Sequence, residues 1–137
     1  MSYLKGTLTA LVTAICLLAA PPKQAEAYSL AFYADALATD AYIYAYYGFV
    51  STNAPTANES AAYYYSYYGY VYADYAFNTG DYSQQNVAYI YCYYAAYYGY
   101  QAYFTDFRSA YWYFQALLDE YASDLCNASY QFSQYGI

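Results

Sequence analysis

Residues 88–102 read Ala88-Tyr89-Ile90-Tyr91-Cys92-Tyr93-Tyr94-Ala95-Ala96-Tyr97-Tyr98-Gly99-Tyr100-Gln101-Ala102. Ala88, Cys92, Ala95, Gly99 and Ala102 are all small and follow one another at steps of 4, 3, 4 and 3. That is the seam spacing of a helix packed along its length at about 3.5 residues per turn. The same frame occurs as Ala62, Ser66, Gly69, Ala73, Ala76 and as Ala34, Ala38, Ala41, Ala45, Gly48. In the two later copies tyrosine dominates the positions between. A seam of small side chains lets helix backbones approach to the short end of the roughly 8–10 Å range of packed helices. The pattern predicts an all-α fold, an up-and-down antiparallel bundle of about four helices with close Ala/Gly seams and a tyrosine-rich surface.

Breakers place the helices. Ser51 to Pro55 interrupts the first, since proline cannot continue the helical ladder and restricts the residue before it. Helix 1 is expected from about Ser29 to Val50. Thr56-Ala57-Asn58-Glu59 forms a capping box for helix 2, which runs to about Asn78. Gly80 supplies a left-handed stop, and Asp81 is expected to cap helix 3 up to about Phe104. Thr105-Asp106 is expected to cap helix 4, ending near Cys126. Short connections favour antiparallel neighbours. Helix 4 differs in carrying Trp112, Leu117, Leu118 and three acids, and its frame in the same register is Ser109, Tyr113, Ala116, Glu120, Ser123.

Tyrosine is also a strand former, and Tyr63/Tyr65/Tyr67 and Tyr89/Tyr91/Tyr93 alternate as a strand face would. Cross-β assembly is the consequence of that alternative. Helix is preferred because caps, breakers and seams agree, and because segments of about 20 residues are long for strands.

The first 27 residues read as a secretory signal: Lys5, an apolar run from Leu8 to Ala20, and Ala25-Glu26-Ala27 as an A-x-A cleavage motif. The expected domain is then residues 28–137, secreted to the extracellular space or cell surface. It keeps Arg108 and nine acids, a net charge of −8. Such a surface repels phosphate backbones and anionic lipid, so neither nucleic acid nor, after signal cleavage, a membrane is an expected partner. Residues 82–105 carry no charge, but phenols favour the membrane interface over its centre.

Of the 29 tyrosines, 28 lie beyond Tyr3. A domain of this size cannot bury them, because each buried hydroxyl wants a partner. A surface dense in aromatic rings marks contact with something. The triplet Tyr-Tyr-Gly recurs at Tyr46-Tyr47-Gly48, Tyr67-Tyr68-Gly69 and Tyr97-Tyr98-Gly99, and these nine residues are the candidate packing and assembly positions.

No histidine occurs in the chain, and no lysine after Lys23. The commonest general base, metal ligand and Schiff-base nucleophile are therefore missing. No enzyme, cofactor or metal centre is expected, and Asp119, Glu120 and Asp124 read as a solvated helix face. Asn58 and Asn127 head N-x-S sequons, both placed at expected helix boundaries and both candidate N-glycosylation sites. Cys92 and Cys126 are candidates for a disulfide or an intermolecular thiol. Antiparallel packing sets Cys92 opposite about residue 120, roughly a turn and a half short of Cys126.

The expected function is that of a secreted structural protein, a subunit polymerising with copies of itself into an extracellular fibre or matrix through tyrosine-rich helix surfaces. The alternative is a secreted carbohydrate-binding or adhesion module, with glycans stacked on aromatic faces.

Overall fold

The computed structural model describes residues 22–136, with side chains from Ala25 onward. Four helices pack as a bundle: α1 (Pro22–Val50), α2 (Ala57–Thr79), α3 (Gln85–Phe104) and α4 (Ala110–Tyr135). A 3-10 turn (Tyr82–Gln84) precedes α3. No strand occurs among the described residues, so the cross-β alternative is set aside for the folded chain.

Each helix packs on its two chain neighbours, and α1 closes the ring against α4. Every adjacent pair is antiparallel. Phe49 meets Tyr63 while Phe32 meets Phe77 across α1 and α2. Tyr72 meets Tyr91 while Tyr65 meets Tyr98 across α2 and α3. Gln115 Nε2 donates to the Ala95 carbonyl (3.0 Å) and Ser123 Oγ to that of Tyr89 (3.2 Å), tying α4 to α3. Ser129 Oγ donates to the Ala27 carbonyl (2.8 Å), tying α4 to α1.

All fifteen seam positions on α1, α2 and α3 are buried. The physical cause is size: with alanine at most contact points, the backbones come close enough to exclude everything larger. Tyrosine supplies the complement. Sixteen of the 28 described tyrosines are half-buried, twelve are exposed and none is buried. The rings therefore lie as a jacket over the helix grooves, where an aromatic body shields apolar backbone while its hydroxyl stays wet.

Helix α4 faces inward through Trp112, Gln115, Asp119, Ala122, Cys126 and Ser129. Of the Ser109, Tyr113, Ala116, Glu120, Ser123 frame only Ala116 and Ser123 are buried; Ser109 and Glu120 are exposed and Tyr113 half-buried, so the inner face is displaced toward Trp112, Gln115, Asp119 and Ala122. A small-residue criterion fails on this helix because its inner side chains are the ones that fill the space the other three leave open.

The ends also refine the sequence reading. Thr56 and Glu59 form the expected capping box, and Gly80 sits at φ 73. Asp81 makes no side-chain cap, because the 3-10 turn intervenes before α3. Thr105 and Asp106 do not cap α4, which starts at Ala110 after Ser109. Asp106 instead accepts hydrogen bonds from Asn58 Nδ2 at 3.2 and 3.3 Å. Helix α4 continues past Cys126 to Tyr135, and α1 begins at Pro22, ahead of Ser29. Residues 1–21 of the expected signal lie outside the described residues; its Ala25-Glu26-Ala27 motif occupies early turns of α1, with Ala27 fully buried. No described helix is long and apolar enough to cross a membrane.

Candidate functional site, an uncharged tyrosine face over a polar core

The glycine of each Tyr-Tyr-Gly triplet points inward. A Cβ on Gly48 would stand 2.7 Å from the Trp112 ring, and one on Gly69 would stand 2.6 Å from Cys92 Sγ. On Gly99 it would overlap Gln115 Oε1. The Gly48 and Gly99 triplets thus make room for the large core side chains Trp112 and Gln115, and the Gly69 triplet lets α2 close on Cys92 of α3. The triplets' tyrosines turn outward: Tyr46, Tyr47, Tyr67 and Tyr97 are exposed, and Tyr68 and Tyr98 half-buried.

Two polar groups hold the core in register. Near the loop joining α1 to α2, the buried Glu59 carboxylate accepts from Trp112 Nε1 (2.6 Å) and from the Thr56 amide (2.9 Å). Arg108 Nε lies 3.0 Å from Glu59 Oε1, and its Nη2 donates to the Ala54 carbonyl at 3.1 Å. This carboxylate, satisfied on both oxygens, locks the α1–α2 and α3–α4 connections to one another.

Deeper in, Asp119 Oδ2 accepts from Gln115 Nε2 at 2.6 Å. The Ser66 hydroxyl and Cys92 thiol face the same carboxyl, yet none of these groups completes a hydrogen bond to Oδ1. Burial therefore dominates and pushes the Asp119 pKa up to about 7, the neighbouring donors only partly offsetting it. Asp119 is thus not part of the expected solvated acidic face: it is fully buried, while Glu120 and Asp124 are exposed on other sides of the helix. Among the described residues no group of three or more acids or cysteines is placed to hold a metal ion.

Cys92 and Cys126 are both free and fully buried. The Cys92 thiol is held protonated by its contact with the Cys126 thiol, by burial and by Asp119 beside it. The two side chains lie in one core cluster as separate thiols. Burial in turn closes Cys126 to another subunit.

The sequons fare differently. Asn58 sits in the first turn of α2, half-buried and bonded to Asp106. Asn127 lies inside α4 instead of at its end, and Ser129 of its sequon is buried with its hydroxyl bonded across to α1.

The outer surface is organised by ring stacking. Tyr42 lies parallel to Tyr70 (5.6 Å, 5°), Tyr72 to Tyr91 (5.6 Å, 4°) and Tyr65 to Tyr98 (5.7 Å, 9°). These pairs bridge α1 to α2 and α2 to α3. Contact between the Tyr42 and Tyr63 hydroxyls (3.4 Å), with partial burial, pushes the Tyr42 pKa up to about 12. Burial raises that of Tyr91. These phenols stay neutral, so the face they form stays uncharged.

Charge is distributed unevenly over the bundle. Residues 60–73 of α2 and 82–105, which include all of α3, hold no Asp, Glu, Lys or Arg. Tyr64, Tyr67, Tyr93, Tyr94 and Tyr97 are exposed there, together with Ile90. The acids cluster elsewhere: Asp35 and Asp40 on α1, Asp119, Glu120 and Asp124 on α4, with Asp74, Asp81 and Asp106 toward the ends. The triplets signalled the outward tyrosines in the sequence. The pairing of α2 with α3 into one neutral face needed the fold.

No protein-family model, curated protein or solved structure matches the chain.

Proposed function

We propose that the protein is a structural subunit that assembles with copies of itself through the tyrosine face of α2 and α3, and that it does so as a secreted protein in an extracellular fibre or matrix. The observation that carries this reading is the partition of charge. A chain with many acids and hardly any bases repels its own copies wherever carboxylates meet. The α2–α3 face lets two copies approach without that cost, and it presents exposed phenols that combine apolar area with a hydroxyl suited to a wet interface.

Glycan binding is the weaker reading, because a sugar-stacking site offers free ring faces around a cleft. Here the parallel pairs Tyr65–Tyr98 and Tyr72–Tyr91 spend ring faces on each other.

The test is sedimentation and electron microscopy of the full protein as a function of concentration, beside Tyr93→Glu/Tyr97→Glu and a Tyr33→Glu control on α1. All three positions are exposed, so helicity by circular dichroism is expected to persist. Assembly is expected to vanish in the α2–α3 variant and persist in the control. A chain that stays monomeric at every concentration, yet is retained on a glycan array, overturns the proposal in favour of the alternative.

A further inference from the structure

Tyr100 and Glu120 form a phenol–carboxylate pair on the seam between α3 and α4. Tyr100 Oη donates to Glu120 Oε2 at 2.6 Å, within the short range of charge-assisted O–H···O⁻ bonds, about 2.5–2.7 Å. The Tyr100 ring is half-buried and Glu120 exposed. Burial first, then the bond to Glu120, push the phenol's pKa up, so this tyrosine holds its proton throughout the physiological range. Its ring neighbours are Tyr113 at 6.0 Å and Phe104 at 6.2 Å, and Tyr113 continues to Tyr103 at 5.4 Å.

Removing one electron from a phenol makes it a strong acid, so the proton must leave with the electron. Where no base is in place, water has to reorganise to accept it. At Tyr100 the acceptor is already bonded. The contrast within the molecule is the Tyr42–Tyr63 contact, where the partner is a neutral hydroxyl at 3.4 Å and so both a weaker base and a more distant one.

We propose that Tyr100, with Glu120 as its fixed proton acceptor, is a redox-active tyrosine and the preferred site of one-electron oxidation of this protein by a high-potential oxidant such as the ferryl haem of a peroxidase. In the step one electron passes from the Tyr100 ring to the oxidant, which is reduced by one electron. The phenolic proton moves along the existing bond from Oη to Glu120 Oε2. The products are a Tyr100 phenoxyl radical and a neutral Glu120 carboxylic acid that donates back to it. When the Tyr113 ring passes an electron to the Tyr100 radical, Glu120 returns the proton to Tyr100 Oη and the Tyr113 phenol releases its own proton to water, which moves the radical along the α3–α4 seam. The step needs a single chain only and stands whether or not copies assemble.

The experiment oxidises the full chain with photogenerated tris(bipyridine)ruthenium(III), using persulfate as the sacrificial acceptor. Radical formation is followed by freeze-quench electron paramagnetic resonance. Location is read by nitroso spin-trapping and mass spectrometry after chymotryptic digestion. Adducts are expected to concentrate on Tyr100 and Tyr113, and Tyr100→Phe to abolish that concentration. Glu120→Gln is expected to slow the first phase several-fold and remove its solvent deuterium isotope effect, with helicity unchanged, and Glu120→Asp to restore the isotope effect. Adducts spread over the tyrosines in proportion to their exposure, or a Glu120→Gln chain with unaltered rate and isotope effect, would overturn the assignment.

Discussion

Replacing Asp119 by asparagine should remove most of the pH dependence of stability that the core imposes. Asp119 is fully buried and its pKa is pushed up to about 7 from 3.8. A shift of about 3 units corresponds to about 4 kcal/mol between the two protonation states. Because the folded pKa lies above the unfolded one, the folded chain holds this proton over a range where the unfolded chain has released it. The stabilisation is complete below about pH 3.8 and is lost as pH rises to about 7. Above that the carboxylate is charged in both states, and its burial opposes folding. Asparagine is neutral throughout. Its carbonyl can keep the bond from Gln115 Nε2, and its amide supplies a donor where Ser66 Oγ and Gln115 Oε1 lack partners. Urea unfolding by circular dichroism from pH 4 to pH 8 is the assay. Asp119→Asn and the unaltered chain are expected to agree within about 1 kcal/mol at pH 4, with the variant about 2–4 kcal/mol more stable at pH 8. Burial also raises the pKa of Asp40, but that contribution is common to both chains and cancels in the difference. Two parallel stability curves, or a variant less stable at pH 8, would show that Asp119 does not carry this pH dependence.

Gly69→Ala brings a Cβ to 2.6 Å from Cys92 Sγ and 3.3 Å from the Cys92 backbone nitrogen; it should cost about 1–3 kcal/mol in thermal or urea unfolding. Gly80→Ala meets no atom within 4 Å but holds φ 73, and should cost only about 1–2 kcal/mol, through the left-handed backbone. Phe107 occupies φ 54 while 87 % exposed, so Phe107→Gly relieves strain without losing packing and should stabilise the bundle by about 0.5–1 kcal/mol. Cys92 and Cys126 should be closed to an aromatic disulfide reagent in the native protein, and both should be labelled once it is denatured without reductant; failure of the pair to label would show that the two are bridged.

Much of this bundle is legible in one dimension. Small residues at alternating steps of three and four lie on one side of a helix whatever surrounds it, and all fifteen of them are buried on α1, α2 and α3. The Thr56–Glu59 capping box and the Gly80 stop are equally local, since each is made within a few residues. The tyrosine jacket follows from arithmetic: 28 phenols exceed what a domain of this size can bury with partners.

What the sequence left open depends on partners distant in the chain. The inner face of α4 is set by spaces over Gly48 on α1 and Gly99 on α3, and Trp112 and Gln115 read as core only once those glycines stand opposite. Asp119 is buried, not solvated, because α2 and α3 close over it with Ser66 and Cys92. The free thiols, the Tyr100–Glu120 pair and the neutral α2–α3 face belong to the same level, for each depends on which helices are neighbours and in what register. Local periodicity fixes which side of each helix is small; only packing decides what fills the space that smallness leaves.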